Sequence, residues 1–276
     1  MTGSGAAPAG TGPTAPAHFV VPGAPVVPGG SSACGASGTA GAPVVPVLRA
    51  DLVDVWLIPT DQPEPVVRAL YGLLDPAERA RADGPDRRFG RRFTVAHGAV
   101  RLLAGARLGR DPARLAWHYG PHGKPGIDGL AVNHSASGAL AAVALTEGRA
   151  VGVDVEEVRD VRVALRMTRR WFPPAEAESV AADPDPAGRF TVLWCRREAC
   201  VKAYGGRLVQ GFGLPLDGPS PLLLADPGTL GAGPCRIEDV PAPGRFRAAV
   251  AAVGADPCSV RARIWSPANS PVLTGT

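Results

Sequence analysis

The order of strand-like and helix-like segments along the chain is the feature that most limits the folds available to it. Short apolar segments predict strands at residues 51–59, 131–132, 139–145, 150–155, 246–253 and 260–265. Apolar residues spaced three and four apart predict helices at residues 65–80, 86–108, 161–180 and 190–204. Because the two types come in runs instead of strict alternation, the pattern predicts an α+β fold and not a doubly wound sheet.

Two further parts of the sequence predict how these elements are connected. Residues 146–149 have a turn-like sequence, and they predict a hairpin between the strand-like segments 139–145 and 150–155. Residues 211–243 are rich in Pro and Gly, which predicts a long loop.

The first 46 residues differ in composition from the rest of the chain. About three quarters of them are Gly, Ala, Pro, Ser or Thr, and the first charged residue is Arg49. Such a segment has no apolar face whose burial would offset the entropy lost on ordering. Residues 1–48 are therefore predicted to be a disordered arm. The arm lacks the basic start and the apolar run of a signal peptide, which favours a cytoplasmic protein.

Charge and cysteine usage exclude several classes of protein. The net charge is only +4, and no block of five or six basic residues occurs, so nucleic acid is not an expected partner. The five cysteines form no C-x-x-C pair and have no His at ligand spacing, which argues against a disulfide framework and a zinc site. No apolar run approaches the roughly 20 residues needed to cross a bilayer, so no membrane partner is expected.

The first candidate functional residues are two carboxylates at the end of the strand-like segment 150–155. Asp154 and Glu156 are two positions apart, so they share one face of a strand, while Val153 and Val155 turn to the core. A solvated acidic face is one interpretation of this pattern. A divalent-cation site is the other, and Mg²⁺ suits it because Mg²⁺ takes oxygen ligands and keeps positions for water and phosphate.

The helical segment 190–204 supplies a second candidate. Trp194, Glu198 and Lys202 are four residues apart and therefore share one face. A Glu–Lys pair at this spacing is also a common stabilising pair on a solvated helix face. A third carboxylate next to Asp154 and Glu156 would complete a cation site, and Lys202 would then lie near phosphate oxygens.

Two polar stretches lie between these elements. Gly123-Lys124-Pro125 has Pro125 where a Walker-type phosphate loop needs Ser or Thr, so that motif is absent. The residues 133–137, Asn-His-Ser-Ala-Ser, enter a strand with several hydrogen-bond donors suited to phosphate. An ordinary polar loop is the alternative for each stretch taken singly.

In this order, four motifs resemble those of the phosphopantetheinyl transferases of the surfactin-synthetase type. The motifs are Gly123-Lys124-Pro125, Asn133-x-Ser135-x-Ser137, Gly152-Val-Asp154-Val-Glu156 and Trp194-x-x-Arg197-Glu198-Ala199-x-x-Lys202. The last two are the most specific, and the resemblance covers roughly residues 50–265.

The resemblance implies transfer of 4′-phosphopantetheine from coenzyme A to a serine of an apo carrier protein, with release of adenosine 3′,5′-bisphosphate. It implies Mg²⁺ held by Asp154, Glu156 and Glu198, with Lys202 beside it. Such a cation would stabilise the charge that gathers on a pyrophosphate under attack. Glu198 is also the candidate base for the serine proton, directly or through a water, so the catalytic residues implied are Glu198 and Lys202.

The resemblance also implies basic and polar contacts to coenzyme A. Carried over position by position, they fall on Arg81, Arg92, Lys124, His134, Ser135, Arg197 and Lys202. Guanidinium groups suit bidentate phosphate contacts.

Two positions depart from the family pattern. Arg197 stands where Lys is usual, which keeps the charge. Ala136 stands where the family has a phosphate-contacting His between two serines. His134 lies two residues earlier on the same strand face, and we hypothesise that it partly replaces that contact. His134→Ala should then raise the KM for coenzyme A.

The resemblance further implies an intracellular monomer with two similar lobes that are related by a pseudo-two-fold axis and enclose coenzyme A. The N-terminal lobe would span residues 49–150, the C-terminal lobe residues 151–265 and a tail residues 266–276. The expected partners are apo acyl carrier and peptidyl carrier domains of polyketide, nonribosomal-peptide or fatty-acid synthases, whose acidic helices suit a basic surface.

Two alternatives remain open at this point. One is a transferase dedicated to a single carrier protein. The other is a coenzyme A binding module with impaired catalysis, which Ala136 suggests and which intact Asp154, Glu156, Glu198 and Lys202 argue against.

Overall fold

A computed structural model of the chain describes residues 51–269. The predicted arm of residues 1–48 and the end of the tail, from residue 270, lie outside this range. The described strands are β1 (Leu52–Pro59), β2 (His118–Tyr119), β3 (Pro125–Gly126), β4 (Ala131–Ser137), β5 (Leu140–Thr146), β6 (Val151–Glu157), β7 (Leu222–Leu224), β8 (Cys235–Val240), β9 (Phe246–Val253) and β10 (Ser259–Ile264).

The described α-helices are α1 (Glu64–Leu73), α2 (Pro76–Ala82), α3 (Arg87–Leu108), α4 (Val161–Trp171), α5 (Pro174–Ala182), α6 (Pro186–Tyr204) and α7 (Leu208–Gly211). Runs of helices follow runs of mostly antiparallel strands along the chain. The α+β fold predicted from the sequence is therefore confirmed. Among the described residues, no helix is long and apolar enough to cross a membrane.

The strands form two four-stranded sheets and one small ribbon. The first sheet has the order β10-β1-β5-β4, in which only the β1–β10 pair is parallel. The second sheet is antiparallel throughout and has the order β6-β9-β8-β7. The ribbon consists of β2 and β3.

The hairpin predicted between residues 139–145 and 150–155 is wrong. Strand β5 pairs with β1 and β4 in the first sheet, whereas β6 pairs with β9 in the second. The observed hairpin joins β4 to β5 instead, across a turn in which Gly138 adopts a φ of 56° that favours glycine. The residues 146–149 therefore carry the chain from one sheet to the other.

The prediction of a loop over residues 211–243 is wrong in part. Strands β7 and β8 both lie within it and complete the second sheet. Strand β8 buries Cys235, Ile237 and Val240, but the period-two alternation breaks after Ile237, so the strand gives a weak signal within a Pro- and Gly-rich sequence.

Hydrophobic packing arranges these elements in layers. Helices α1 and α3 pack on one face of the first sheet through a core that includes Leu70, Ala99 and Val143. The opposite face of that sheet packs on the second sheet, where alternate residues of β1 and β6 such as Val55 and Val153 meet. Helix α6 covers the remaining face of the second sheet, and α4 and α5 pack against α6.

The edge strands β4 and β6 of the two sheets lie side by side without a regular ladder. The backbone N–H of Val153 would lack a partner at such a junction, and the Asn133 side-chain oxygen accepts its hydrogen bond at 2.8 Å. This junction brings the polar motifs of β4 next to the carboxylates of β6.

Candidate active site

Strand β6 presents its two carboxylates to helix α6. Val153 and Val155 point into the core between the sheets, as predicted, and Val151 does the same, so Asp154 and Glu156 occupy the other face. That face is covered, since Asp154 is only 2% exposed. The interpretation as a solvated acidic face is therefore wrong for this strand.

Gly152 allows α6 to approach this face closely. A Cβ at residue 152 would lie 2.1 Å from the carbonyl oxygen of Ala199 and 2.4 Å from the amide nitrogen of Ala203. Only glycine fits such a contact between a strand and a helix backbone. The approach places Glu198 and Lys202 of α6 beside Asp154.

Lys202 is the centre of the hydrogen bonding in this cluster. Its Nζ donates to Asp154 Oδ1 at 2.6 Å, to Ser135 Oγ at 3.0 Å and to the Val153 carbonyl at 3.4 Å. Burial opposes the charge of Lys202, but Asp154, Glu198 and Glu156 outweigh it and raise its pKa above the usual value. The ammonium group therefore stays charged at neutral pH.

The two serines of β4 hydrogen-bond to the carboxylates of β6. Ser135 Oγ donates to Asp154 Oδ1 at 2.7 Å, and Ser137 Oγ donates to Glu156 Oε2 at 2.8 Å. Asn133, Ser135 and Ser137 thus all face β6, which follows from their spacing of two residues on one strand.

Burial, with neighbouring carboxylates, raises the pKa of two carboxylates in the cluster. Burial is the largest cause for Glu198, whose pKa rises to about 7 as Asp154 and Glu156 add their charges, although Lys202 acts against this rise. Burial and the charge of Asp154 also raise the pKa of Glu156, partly opposed by Arg159. Such shifts toward neutrality are common among catalytic groups.

The oxygen atoms of the cluster bear on whether it can hold Mg²⁺. In the part of the chain that the structure describes, no group of three His, Cys, Asp or Glu side chains has the arrangement of a formed metal centre. However, Asp154 Oδ2 is buried without a hydrogen-bond partner, and burial, together with repulsion from the neighbouring carboxylates, raises the pKa values of Glu156 and Glu198. A divalent cation would satisfy the first and relieve the second, so the donor set fits Mg²⁺.

Lys124 lies at the end of α6, close to the cluster. Its Nζ donates to the carbonyl oxygen of Ala203 at 2.6 Å, which is one of the carbonyls that the last helical turn leaves open. Burial lowers the pKa of Lys124 to about 8. The loop between β2 and β3 is thereby joined to α6.

His134 points away from the carboxylates. Its ring lies edge-on to that of His97 on α3, with centroids 4.6 Å apart. Burial, His97, Lys202 and Arg81 together hold its pKa well below the usual value. Ala136 lies two residues after His134 on β4 and is exposed. Because side chains alternate along a strand, His134 and Ala136 share one face, as predicted. Whether His134 contributes to coenzyme A binding stays a prediction.

Arg81, one of the two arginines of the first half, lies close enough to His134 to lower its pKa. The Arg81 guanidinium lies 5.2 Å from the ring centroid of Phe93, and burial lowers the Arg81 pKa. Arg92 is half-buried on α3, one residue before Phe93. Arg81 therefore lies near His134, Arg92 lies on α3, and the roles of both stay predictions.

Arg197 is not brought to the cluster. It is fully buried, pairs with Glu176 on α5 and donates to the Leu214 carbonyl at 3.0 Å. Its guanidinium also lies 3.9 Å from the ring centroid of Phe172. This geometry favours a role in holding α5 to α6 over the predicted contact with coenzyme A.

Sequence reasoning missed a second buried polar network, on α2 and α3. Arg101 is fully buried and donates to Glu78 Oε2 at 2.5 Å and to Asp75 Oδ2 at 2.6 Å. Glu78 also contacts His97 Nδ1 at 3.1 Å and accepts from Trp117 Nε1 at 3.0 Å. Asp75 and Glu78 form a capping box for α2, which was the only sequence signal available.

The comparisons with known proteins agree with the chemistry of this site. A family model described as the 4′-phosphopantetheinyl transferase superfamily matches residues 150–222, which contain Asp154, Glu156, Glu198 and Lys202. The chain is 35% identical over 174 residues to 4′-phosphopantetheinyl transferase HetI of Nostoc sp., covering 59% of this chain and 73% of HetI.

A second relative is slr0495 of Synechocystis sp., to which the same activity is ascribed. It is 30% identical over 168 residues, which cover 57% of this chain and 67% of slr0495. Both relatives match most of their own length. The chain therefore belongs to the 4′-phosphopantetheinyl transferase superfamily and is a transferase.

Proposed function

We propose that this enzyme is of the surfactin-synthetase type and moves 4′-phosphopantetheine from coenzyme A to a serine hydroxyl of an apo carrier protein. The observation that carries the proposal is the cluster of Asp154, Glu156, Glu198 and Lys202, which the contact of α6 with Gly152 assembles. Acceptors are apo acyl carrier and peptidyl carrier domains of polyketide, nonribosomal-peptide or fatty-acid synthases. The enzyme acts as a cytoplasmic monomer.

Asp154, Glu156 and Glu198 would hold Mg²⁺ in this proposal. Bound there, the ion supplies charge neutralisation for the pyrophosphate of coenzyme A. The unpartnered Asp154 Oδ2 and the raised pKa values of the two glutamates support this assignment.

The side chains of the cluster divide the remaining work. The Lys202 ammonium would stabilise negative charge on the phosphate oxygens. The Glu198 carboxylate is the group that would accept the serine proton, directly or through a water. The serine oxygen forms a bond to the phosphorus next to pantetheine, the bond from that phosphorus to the bridging oxygen of the nucleotide breaks, and the serine proton passes to Glu198.

Binding of coenzyme A would use the basic residues near the cluster. Lys124 and Ser135 lie beside α6 and Lys202, respectively. Arg81 and His134 lie on the side of β4 that faces α3, and Arg92 lies on α3. We propose that coenzyme A lies between these two groups, across the junction of two lobes at residues 49–150 and 151–265 that share a pseudo-two-fold relation.

The test is mass spectrometry of an apo carrier protein after incubation with the enzyme, coenzyme A and Mg²⁺. The carrier should gain a mass of about 340 Da, the mass of phosphopantetheine, by the transfer chemistry above. Glu198→Gln keeps the shape of the side chain and should slow the gain by roughly 10²-fold or more. A set of unrelated carriers distinguishes a broad enzyme from one dedicated to a single carrier.

The second candidate, an impaired coenzyme A binding module, is favoured only by Ala136. It would be supported if coenzyme A bound but none of the carriers gained mass. Ala136→His would then be expected to restore transfer.

A further inference from the structure

The buried polar network on α2 and α3 reaches the residues that the proposed function assigns to coenzyme A. Its centre is the Glu78 carboxylate, whose side chain is only 8% exposed. Four groups hydrogen-bond to this carboxylate, namely the Asp75 amide at 3.0 Å, Arg101 Nε at 2.5 Å, Trp117 Nε1 at 3.0 Å and His97 Nδ1 at 3.1 Å. Together they fix the position of α2, which carries Arg81 about one turn after Glu78.

The protonation of the His97 ring follows from its surroundings. Burial lowers the pKa of His97, although Glu78 acts against this, so the ring is neutral at neutral pH and carries one N–H. Burial opposes the charge of Glu78, but the hydrogen bonds from His97 and Asp75 are the main causes that outweigh it and lower the Glu78 pKa. Because a carboxylate can only accept, the proton of the neutral ring is on Nδ1 and is donated to Glu78.

The ring of His97 also connects α2 and α3 with β4. It stacks on the ring of Phe93, with centroids 3.9 Å apart, and the Arg81 guanidinium lies 5.2 Å from the centroid of Phe93. The ring of His134 meets His97 edge-on, with centroids 4.6 Å apart. His97 is therefore in direct contact with His134 and is linked to Arg81 through Phe93 and through the bond to Glu78.

A phosphate of coenzyme A has a reason to lie on this side of β4. Coenzyme A carries two separate anionic groups, the pyrophosphate and the 3′-phosphate of its ribose. The proposed function places the pyrophosphate at the carboxylate cluster, on the face of β4 that carries Ser135. His134 is the preceding residue and points to the opposite face, toward His97. The 3′-phosphate would there meet the Arg81 guanidinium, which suits phosphate.

We propose that His97 is a positioning residue for coenzyme A, which holds Arg81 and His134 in the relative placement that binds the 3′-phosphate. Arg81 lies on a helix and His134 on a strand, so without this link binding would have to order them, which costs affinity. The inference rests on the proposed function for the identity of the substrate. It adds a residue that acts through its bond to Glu78 and its ring contacts.

Two variants each remove one part of the His97 contacts. His97→Phe keeps a ring against Phe93 and His134 but has no donor for Glu78. His97→Asn keeps a donor for Glu78 but withdraws the ring. The proposal needs both parts, so both variants should weaken binding of coenzyme A.

Trp117→Phe is the matched control for His97→Phe. It also removes a donor to Glu78 Oε1, but the ring of Trp117 lies beside Arg101, with the guanidinium 5.8 Å from the ring centroid. A purely structural role of the network predicts the same effect for Trp117→Phe and His97→Phe. Thermal unfolding followed by circular dichroism establishes that each variant is folded at the assay temperature.

Binding is measured by titration calorimetry without a carrier, so that no transfer occurs. Each His97 variant should weaken Kd for coenzyme A by ~10-fold, because Arg81 and His134 are no longer held for the ligand. The same variants should keep Kd for 3′-dephospho-coenzyme A within ~2-fold of the value for the unchanged enzyme, since that ligand lacks the phosphate concerned. Trp117→Phe should change neither Kd by more than ~2-fold.

Several results would overturn the proposal. These are an unchanged Kd for coenzyme A in the His97 variants, an equal loss of affinity for both ligands, and a loss in Trp117→Phe that matches the loss in His97→Phe. In the transfer assay, His97→Phe should raise the KM for coenzyme A and leave kcat and the KM for the carrier unchanged. Absence of transfer by the unchanged enzyme, together with the expected pattern of Kd values, would contradict the proposed function alone.

Discussion

At the scale of single residues, the cluster depends on one lysine among three carboxylates. Lys202 neutralises only part of the negative charge, and Asp154 keeps one oxygen without a hydrogen bond. Burial is the main cause that raises the pKa of Glu198 to about 7, and the charges of Asp154 and Glu156 add to it. Glu198 is therefore able either to bind a cation or to accept a proton.

Removal of the Asp154 charge should destabilise the protein. Asp154→Asn leaves the Lys202 ammonium with a weaker partner, and breaking a fully buried ion pair costs about 3–5 kcal/mol. Because the Lys202 side chain keeps 27% exposure, we expect a loss of ~2 kcal/mol in the free energy of unfolding. Urea denaturation in EDTA measures this loss, and Glu157→Gln at the exposed end of β6 serves as the control, with little change.

Lys124 should make the affinity for coenzyme A depend on pH. Burial lowers the pKa of its ammonium to about 8, so raising the pH through 8 discharges the group that the proposal assigns to phosphate. The KM for coenzyme A should therefore rise above pH 8. Lys124→Arg should remove this rise, because arginine stays charged throughout the range. A KM profile that is the same for both enzymes would show that Lys124 does not bind phosphate.

The same shift has a consequence for stability. The folded pKa of Lys124 lies below its unfolded value, so between about pH 8 and the unfolded pKa only the unfolded state carries this proton. The contribution of Lys124 to stability is therefore lost as the pH falls through 8. In Lys124→Met, the rise in free energy of unfolding from pH 8 toward pH 10 should be smaller than in the unchanged protein, as measured by urea denaturation.

At the scale of elements, the contact of α6 with β6 determines where the site residues lie. Helix periodicity places Glu198 and Lys202 on one face, and strand periodicity places Asp154 and Glu156 on one face. Neither periodicity predicts that these two faces meet. Gly152 is the residue that lets them do so.

Gly152→Ala should therefore separate the two halves of the site. The added methyl group would overlap backbone atoms of Ala199 and Ala203, which cannot move without displacing α6. We expect a loss of ~3 kcal/mol in the free energy of unfolding and a fall in kcat, measured by urea denaturation and by transfer to a carrier.

Gly72→Ala is the matched control for that change. Gly72 lies in α1, and a methyl group there would meet no atom within 4 Å. Alanine has the higher helix propensity, so this variant should be as stable as the parent protein or more stable by up to ~1 kcal/mol. Equal stability of both alanine variants would contradict the role given to Gly152.

The wrong hairpin illustrates what element-scale patterns omit. The apolar segments of β5 and β6 and the turn-like residues 146–149 are all present, as a hairpin requires. Strand β5 is buried on both faces, however, and it is already flanked by β1 and β4. No edge of β5 remains for β6, so the turn leads into another sheet. Periodicity alone does not identify the partner of a strand.

At the scale of the whole molecule, the site lies where the edge strands of two sheets meet, and α6 covers one side of it. If Asp154, Glu156 and Glu198 hold Mg²⁺ there, the ion binds only to the folded state and should stabilise it by mass action. At an Mg²⁺ concentration about 100-fold above Kd, the Tm should rise by ~5 °C. Differential scanning fluorimetry measures this without any turnover.

Two variants distinguish binding at the cluster from a general effect of salt. Glu156→Gln should abolish the Mg²⁺-dependent rise in Tm, and Glu157→Gln should keep it, because Glu157 faces away at the exposed end of the strand. If neither variant changed the rise, Mg²⁺ would be acting elsewhere on the protein.

The sequence by itself determined the kinds of element, the α+β class, the periodic faces and the family to which four ordered motifs point. These are local properties, because they depend on residues within a few positions of one another. Only the tertiary structure decided that the acidic face of β6 is buried, that Lys202 meets Asp154, and that Arg197 turns to Glu176. Those outcomes depend on contacts between residues 20 or more positions apart, whose partners are selected by packing and by hydrogen-bond satisfaction.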